Sequence, residues 1–332
     1  MFPFSELQKI LVNADADMPE ALHNGLFFVD ALSTPKAAEA LLGKLYDEGK
    51  LPPKTLARED LALYAWMTAP DILESVHAEQ HMLRTKRYER CFGRRAAWPD
   101  LSQEALVALE DALNDWFDSL HKGRGVQIMV YERRGTIWFH LRHGELLRSD
   151  CDLQNNGMTK RIVYRPERYD CVGYTPSERE LQIHSETKRE KAVYCKLFGL
   201  YLFNDEHFFF CDESTAKYTL IPLREQGRDA LTCSDVDGLN RVLLTELHVI
   251  FPGRGKYCEV YKSEGGLFED WEKHGRSVPN ETEFVRASFQ LHLADVTRPK
   301  SLTVCTPDVT IFERGLESEQ IGIWLKKRRF AI

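Results

Sequence analysis

The feature that most constrains this fold is a change of apolar period near Gly123-Arg124-Gly125. Upstream, apolar residues recur every three or four positions. Downstream, β-branched and aromatic residues gather in short runs separated by polar turns. The first spacing lines one face of a helix and the second suits strands. A chain written in both patterns, in this order, predicts an α+β protein. Its helical domain would occupy 1–122 and its β-rich α+β domain 123–332.

Within the helical part, Leu7, Ile10 and Leu11 follow Phe4 at helical spacing. Ser33-Thr34-Pro35 offers a capping hydroxyl and an early proline for a helix carrying Ala38, Leu41, Leu42 and Leu45. Residues 56–67 form another striped segment, Asp71 opens a helix through Ile72, Val76 and Leu83, and 99–104 opens one through Leu106, Leu109, Leu113 and Phe117. In the second part, 126–131 and 136–141 flank the turn Glu132-Arg133-Arg134-Gly135 and predict a hairpin. The break at Arg142-His143-Gly144 predicts a third adjacent strand over 145–148, and Asn155-Asn156-Gly157 predicts a loop over 151–160. Short strands are expected at 161–164, 169–174, 181–184, 208–211, 218–220, 242–251, 258–261, 284–293 and 301–304. Helices are expected at 187–201 and 317–327. One embedded helix among many strands predicts a predominantly antiparallel or mixed sheet.

The chain carries 51 acidic and 44 basic side chains, net -7, so its overall field does not draw it onto a polyanion. Only a local basic patch can do that. The 36 Phe, Tyr and Trp residues (18, 12 and 6) exclude a long disordered chain. Eight scattered cysteines without a CxxC pair exclude the usual zinc ribbon and dithiol redox motif, and predict reduced thiols. The start, Met1-Phe2-Pro3-Phe4, lacks a charged leader pattern, and no apolar run approaches about 18 residues, the length that spans a bilayer. The expectation is a cytoplasmic protein with no membrane association.

Two patterns bear on catalysis. His77 and His81 lie four apart and would share a helix face, but Glu79 stands two residues after His77. The zinc-protease motif H-E-x-x-H needs it directly after, so structural histidines and no resident metal are expected. The second pattern runs from Tyr169-Asp170 through a turn to Leu181-Gln182-Ile183-His184-Ser185-Glu186-Thr187-Lys188. It resembles the core of restriction-type nucleases. The resemblance spans about 35 residues and implies that Asp170, Glu186 and Lys188 hold Mg²⁺ and water beside a scissile phosphate. Glu186 falls after the apolar strand rather than within it, and Ser185 could instead cap a helix that leaves Lys188 exposed. No phosphate-binding glycine loop, nucleophile elbow or dinucleotide fingerprint occurs. In particular, 251–256 reads as a loop.

Charge supplies the remaining signal. Arg84, Lys86, Arg87, Arg90, Arg94 and Arg95 cluster with Tyr88, Phe92 and Trp98, a combination suited to phosphates and base stacking. The same run also reads as a solvated helix face or as the basic side of an interface with an acidic partner. Lys326, Lys327, Arg328 and Arg329 form a second run, which a helix C-terminus also explains. The meander with its basic patches looks like the accessory proteins of bacterial defence or DNA-processing systems. The leading expectation is a non-catalytic interaction subunit with a protein partner, contacting nucleic acid through these patches and needing no cofactor. The alternative is a divergent Mg²⁺-dependent nuclease.

Overall fold

Thr34 stands in extended conformation and its hydroxyl accepts from Ala37 N, starting a helix with Pro35 in its first turn, as the Ser-Thr-Pro signal predicts. The computed structural model describes residues 20–52, 54–84, 86–153, 157–210, 216–251, 257–277, 282–294, 296–313 and 318–332, the side chains of 20, 21, 23, 24 and 82–84 excepted. The expected helix around residues 4–11 and the loop at 252–256 lie outside the described residues. The chain divides into two units, Met1–Met82 and Leu83–Ile332.

The first unit contains α1 (Glu20–Leu32), α2 (Pro35–Asp47), α3 (Arg58–Thr68) and most of α4 (Pro70–Arg84). Leu41, Leu45, Leu61, Ala65, Leu73 and Val76 bury together as its core. Ala38, Leu41 and Leu45 of the first stripe and Ile72 and Val76 of the second therefore form the buried faces, while Leu42 is exposed.

The second unit opens with a strand, β1 (Arg87–Gly93), inside the stretch expected to be helical. Helix α5 (Gln103–Ser119) follows, capped by Ser102, whose hydroxyl accepts from Ala105 N. Leu109, Leu113 and Phe117 of α5 pack with Val126, just before β2, and with strand residues Phe139, Leu141 and Val172. The division therefore falls after Met82 rather than at 122/123: a change of apolar period marks a change of element type, and this helix buries its stripe against the strands that follow.

Strands β2 (Gln127–Arg133) and β3 (Thr136–Gly144) form the expected hairpin, turned by Arg134 and Gly135, both at positive φ. Next come β4 (Arg148–Leu153), β5 (Thr159–Tyr164), β6 (Glu167–Thr175), β7 (Glu180–His184), α6 (Lys188–Phe203) and β8 (Phe209–Phe210). The rest is α7 (Ile221–Gln226), β9 (Leu239–Ile250), β10 (Cys258–Lys262), α8 (Leu267–Lys273), β11 (Glu283–Leu293), β12 (Lys300–Cys305), β13 (Val309–Phe312) and α9 (Ser318–Lys327). Among the described residues, the main sheet has 11 strands, ordered β10-β9-β11-β12-β13-β1-β7-β6-β3-β2 with β8 beside β1, and every pairing is antiparallel. The α+β class with a large antiparallel sheet stands as expected.

Two apolar cores line this sheet. One gathers α5 and α6 over β2, β3, β6 and β7. The other gathers Trp324 and Leu325 of α9 and Trp271 of α8 with Leu244, Phe289 and Leu302. Four local expectations differ: first, 151–153 and 159–160, expected in a loop, belong to β4 and β5. Residues 145–148 do not add a third strand beside β3, because β6 takes that position. Tyr218 makes only an isolated bridge to Ala331. Finally, Cys91 is disulfide-bonded, against the expectation of reduced thiols, whereas Cys151, Cys171, Cys195, Cys233, Cys258 and Cys305 are thiols as expected, that of Cys195 lying 3.2 Å from Cys91 Sγ. The fold brings β1 and α6 together there across 104 residues of sequence, a proximity that spacing does not reveal. Among the described residues, no helix is long and apolar enough to cross a membrane.

Candidate interaction arm and the charged cluster at its root

Among the described residues, strands β4 and β5 pair only with each other, Arg148 opposite Tyr164 through Leu153 opposite Thr159, and form a sheet of their own. Every residue of both strands is exposed. Apolar side chains nevertheless occupy both faces: Ile162 on one, and Leu153 (74% exposed) and Val163 (63%) on the other. Leu146 and Leu147, at the entry to β4, are exposed as well. A two-stranded ribbon is marginal in water by itself. Its persistence therefore depends on how its base is held.

The base is held by charge. Arg165 Nη1 donates to the carbonyls of His121 (2.7 Å) and Glu145 (2.6 Å), and Glu145 N donates to Pro166 O (2.8 Å). Glycine is required on both sides of this arginine. A Cβ at Gly144 would lie 2.4 Å from Arg165 Cδ, and one at Gly123, which has φ +78°, would lie 2.9 Å from its Nε. Glu145 then takes Lys122 Nζ at 2.9 Å and Arg168 Nη1 at 3.1 Å. Lys122 Nζ also reaches Glu190, at 3.2 Å.

Arg168 is the hub. It bonds Glu145, Asp170 (3.2 Å) and Glu186. Asp170 is fully buried on β6, accepting from Tyr194 Oη at 2.6 Å and facing His143 Nε2 at 3.3 Å. Burial opposes its charge, but His143, Arg168 and Tyr194 outweigh burial and hold its pKa below the usual carboxylate value. Burial, with Asp170 beside it, raises the Tyr194 phenol well above its usual range. The His143 ring stacks on Phe117, with centroids 4.1 Å apart.

This cluster fixes the surroundings of the nuclease-like residues. Asp170 and Glu186 are brought to one guanidinium, that of Arg168. Glu186 and Lys188 flank Thr187, which caps α6: its hydroxyl accepts from Glu190 N, and Glu190 accepts from Thr187 N and Glu186 N. The cap is Thr187, one residue pair later than the Ser185 alternative. Lys188 is exposed and makes no ion pair among the described residues. The pattern Thr187-x-x-Glu190 was legible as a capping box. His77 lies in the first unit, its ring 4.9 Å from that of Phe28.

The basic runs are largely matched to carboxylates. The Arg84 side chain lies outside the described residues. Lys86 pairs with Glu313 at 2.9 Å and Arg87 with Glu89 at 3.1 Å. Arg90 is buried, its Nε 2.8 Å from Glu180 and its Nη1 2.9 Å from Thr310 Oγ1. Arg94 donates to the His207 carbonyl at 2.7 Å, and Arg95 is exposed. Because this run is a strand, Tyr88 and Cys91 point into the protein, and Tyr88 offers no surface for stacking. In the second run, Lys326 pairs with Glu178 at 3.0 Å, and Lys327 and Arg328 both pair with Asp235. Arg329 is exposed with a positive φ.

A second buried cluster joins these runs. Glu180 takes both Arg90 and Lys217, and Glu178 takes Lys217 and Lys326. Burial, aided by Arg90, pushes Lys217 down to about 8, although Glu178 pulls the other way. No protein-family model and no curated protein matches this chain.

Proposed function

We propose that this chain is a non-catalytic interaction subunit whose β4–β5 arm docks a protein partner. The observation that carries this reading is the exposure of apolar side chains on both faces of a ribbon that contributes nothing to either core of its unit. Exposed contiguous apolar surface is selected against unless it is used. A paired ribbon with two open edges and open faces suits addition to, or clasping of, another chain.

Nucleic acid is the weaker part of the reading. Most of the cations that motivated it face carboxylates of the same molecule, and Arg94, Arg95 and Trp98 are what remains of the first run for a phosphate chain. The accessory role in defence or DNA processing rests on that remainder. The nuclease alternative has Arg168 where two carboxylates would have to share a cation.

Replacing 148–164 with a short Gly-Ser turn tests the arm. A partner should co-purify with the intact chain from its native cells and fall about tenfold or more with the shortened one, a change of about 1.4 kcal/mol in association. Equal recovery of the same partners by both chains refutes the reading.

A further inference from the structure

We propose that the cavity at the root of the arm is a binding site for a small phosphate-type oxyanion. The cavity, about 190 Å³, is lined by Lys122, Arg124, Arg142, His143, Arg165 and Glu167 among others. Four cationic side chains thus face one carboxylate. The partners of these cations are unequal. Lys122 is matched by Glu145 and Glu190, Arg124 by Asp115, and Arg142 by Glu167 at 3.3 Å. Arg165 differs: its hydrogen bonds among the described residues go to two carbonyl oxygens, both from Nη1, and no carboxylate neutralises it.

A guanidinium carries five N–H donors. Two carbonyls engage one nitrogen of Arg165, which leaves donors on the others in a planar arrangement that matches two oxygens of a tetrahedral oxyanion. The side chain is fixed before any ligand arrives. Gly123 and Gly144 leave no room for a Cβ beside it, and the His121 and Glu145 carbonyls anchor its head. Such prior ordering reduces the entropy lost on binding.

Lys122, Arg124 and Arg142 already have carboxylate partners, so Arg165 supplies the unmatched charge of the lining, and the second charge of a phosphate is met by sharing those paired cations. The size admits a phosphate, a pyrophosphate or the terminal group of a phosphomonoester. This site goes beyond the docking function of the arm and does not depend on it.

Isothermal titration at low ionic strength with orthophosphate, pyrophosphate, O-phosphoserine and acetate tests the assignment. The first three should bind with Kd of about 1 mM or tighter, and acetate about tenfold more weakly. Preference for pyrophosphate over O-phosphoserine would identify a free inorganic ligand, and the reverse a phosphomonoester. Because Arg165 also braces the arm, the decisive variants are elsewhere on the lining. Arg142→Gln should weaken phosphate binding about fivefold or more, and Glu167→Gln, which removes the opposing charge, should tighten it severalfold. The proposal is overturned if wild type binds none of the phosphates at about 10 mM. It is equally overturned if the affinity is unchanged in both variants, which would place any bound anion elsewhere.

Discussion

Arg168 Nη2 lies 3.2 Å from Asp170 Oδ1 while its Nη1 bonds Glu145 and Glu186, so one guanidinium ties β6 to the arm's base and to the start of α6. Asp170 is therefore an internal counter-ion. Asp170→Asn should cost about 3 kcal/mol, the scale for removing one member of a buried ion pair. Urea unfolding measures this. Stability equal to or above that of wild type would contradict the assignment.

Acid should dismantle the same cluster. Burial disfavours the charged forms of Asp170 and Glu145, but Asp170 is held below 3.8 by His143 and Arg168, and Glu145 below 4.5 by Lys122 and Arg168. Both folded pKa values lie under the unfolded ones, so the unfolded chain binds more protons as pH falls. The stabilisation is complete above the unfolded values and is lost as pH drops through the folded ones. Unfolding free energy should hold steady from about pH 7 to 5 and decline below about pH 4.5, with a shallower decline in Asp170→Asn. An identical slope in that variant would remove Asp170 from the account.

Arg90 and Glu180 form a second buried pair, 5% and 1% exposed. Glu180→Leu should cost about 3 kcal/mol or more because it strands Arg90, Arg90→Met should cost less because Lys217 stays on Glu180, and the double variant should cost clearly less than their sum. Additive losses would mean that the two charges are not coupled.

Lys217 shares Glu180 with Arg90. After reductive ¹³C-methylation, its resonance should titrate near pH 8, where burial and Arg90 place it, below the ordinary value for a lysine. Titration with the bulk lysines would show that Glu178 and Glu180 prevail over burial.

The arm should be the first part of the second unit to open. Amides of β4 and β5, in an exposed two-stranded ribbon, should exchange with solvent at least about a hundredfold faster than those of β3 and β6, which lie inside the main sheet. Comparable protection in hydrogen exchange would mean that a partner or a second copy already covers the ribbon.

Local interactions made much of this fold readable. Thr34-Pro35 and Ser102 announce their helices because a cap needs only residues three positions away. The β2–β3 hairpin is equally local, closed by Arg134-Gly135. Strand β1 was misread because the run of six basic residues over 84–95, two of them in the strand, obscures an alternation in which Tyr88 and Arg90 are both buried. Arginine is an outward residue by composition, and Glu180 and Thr310, 90 and 220 positions away, make its burial tolerable. The candidate site was legible in fragments. Asp170 was found, but for a metal. Arg168, His143, Tyr194 and Lys122 went unnoticed, since they lie on separate elements with no common spacing.

By itself, then, the amino-acid order determined most of the helices and the β2–β3 hairpin, because periodicity, caps and turns act over a few residues, but not β1. Tertiary structure alone decided that β6 rather than 145–148 lies beside β3, that the β4–β5 ribbon stands apart, and which carboxylate each cation meets. Those outcomes depend on contacts across tens to hundreds of residues, where the energy of a charge is set by whatever the fold brings within about 4 Å of it.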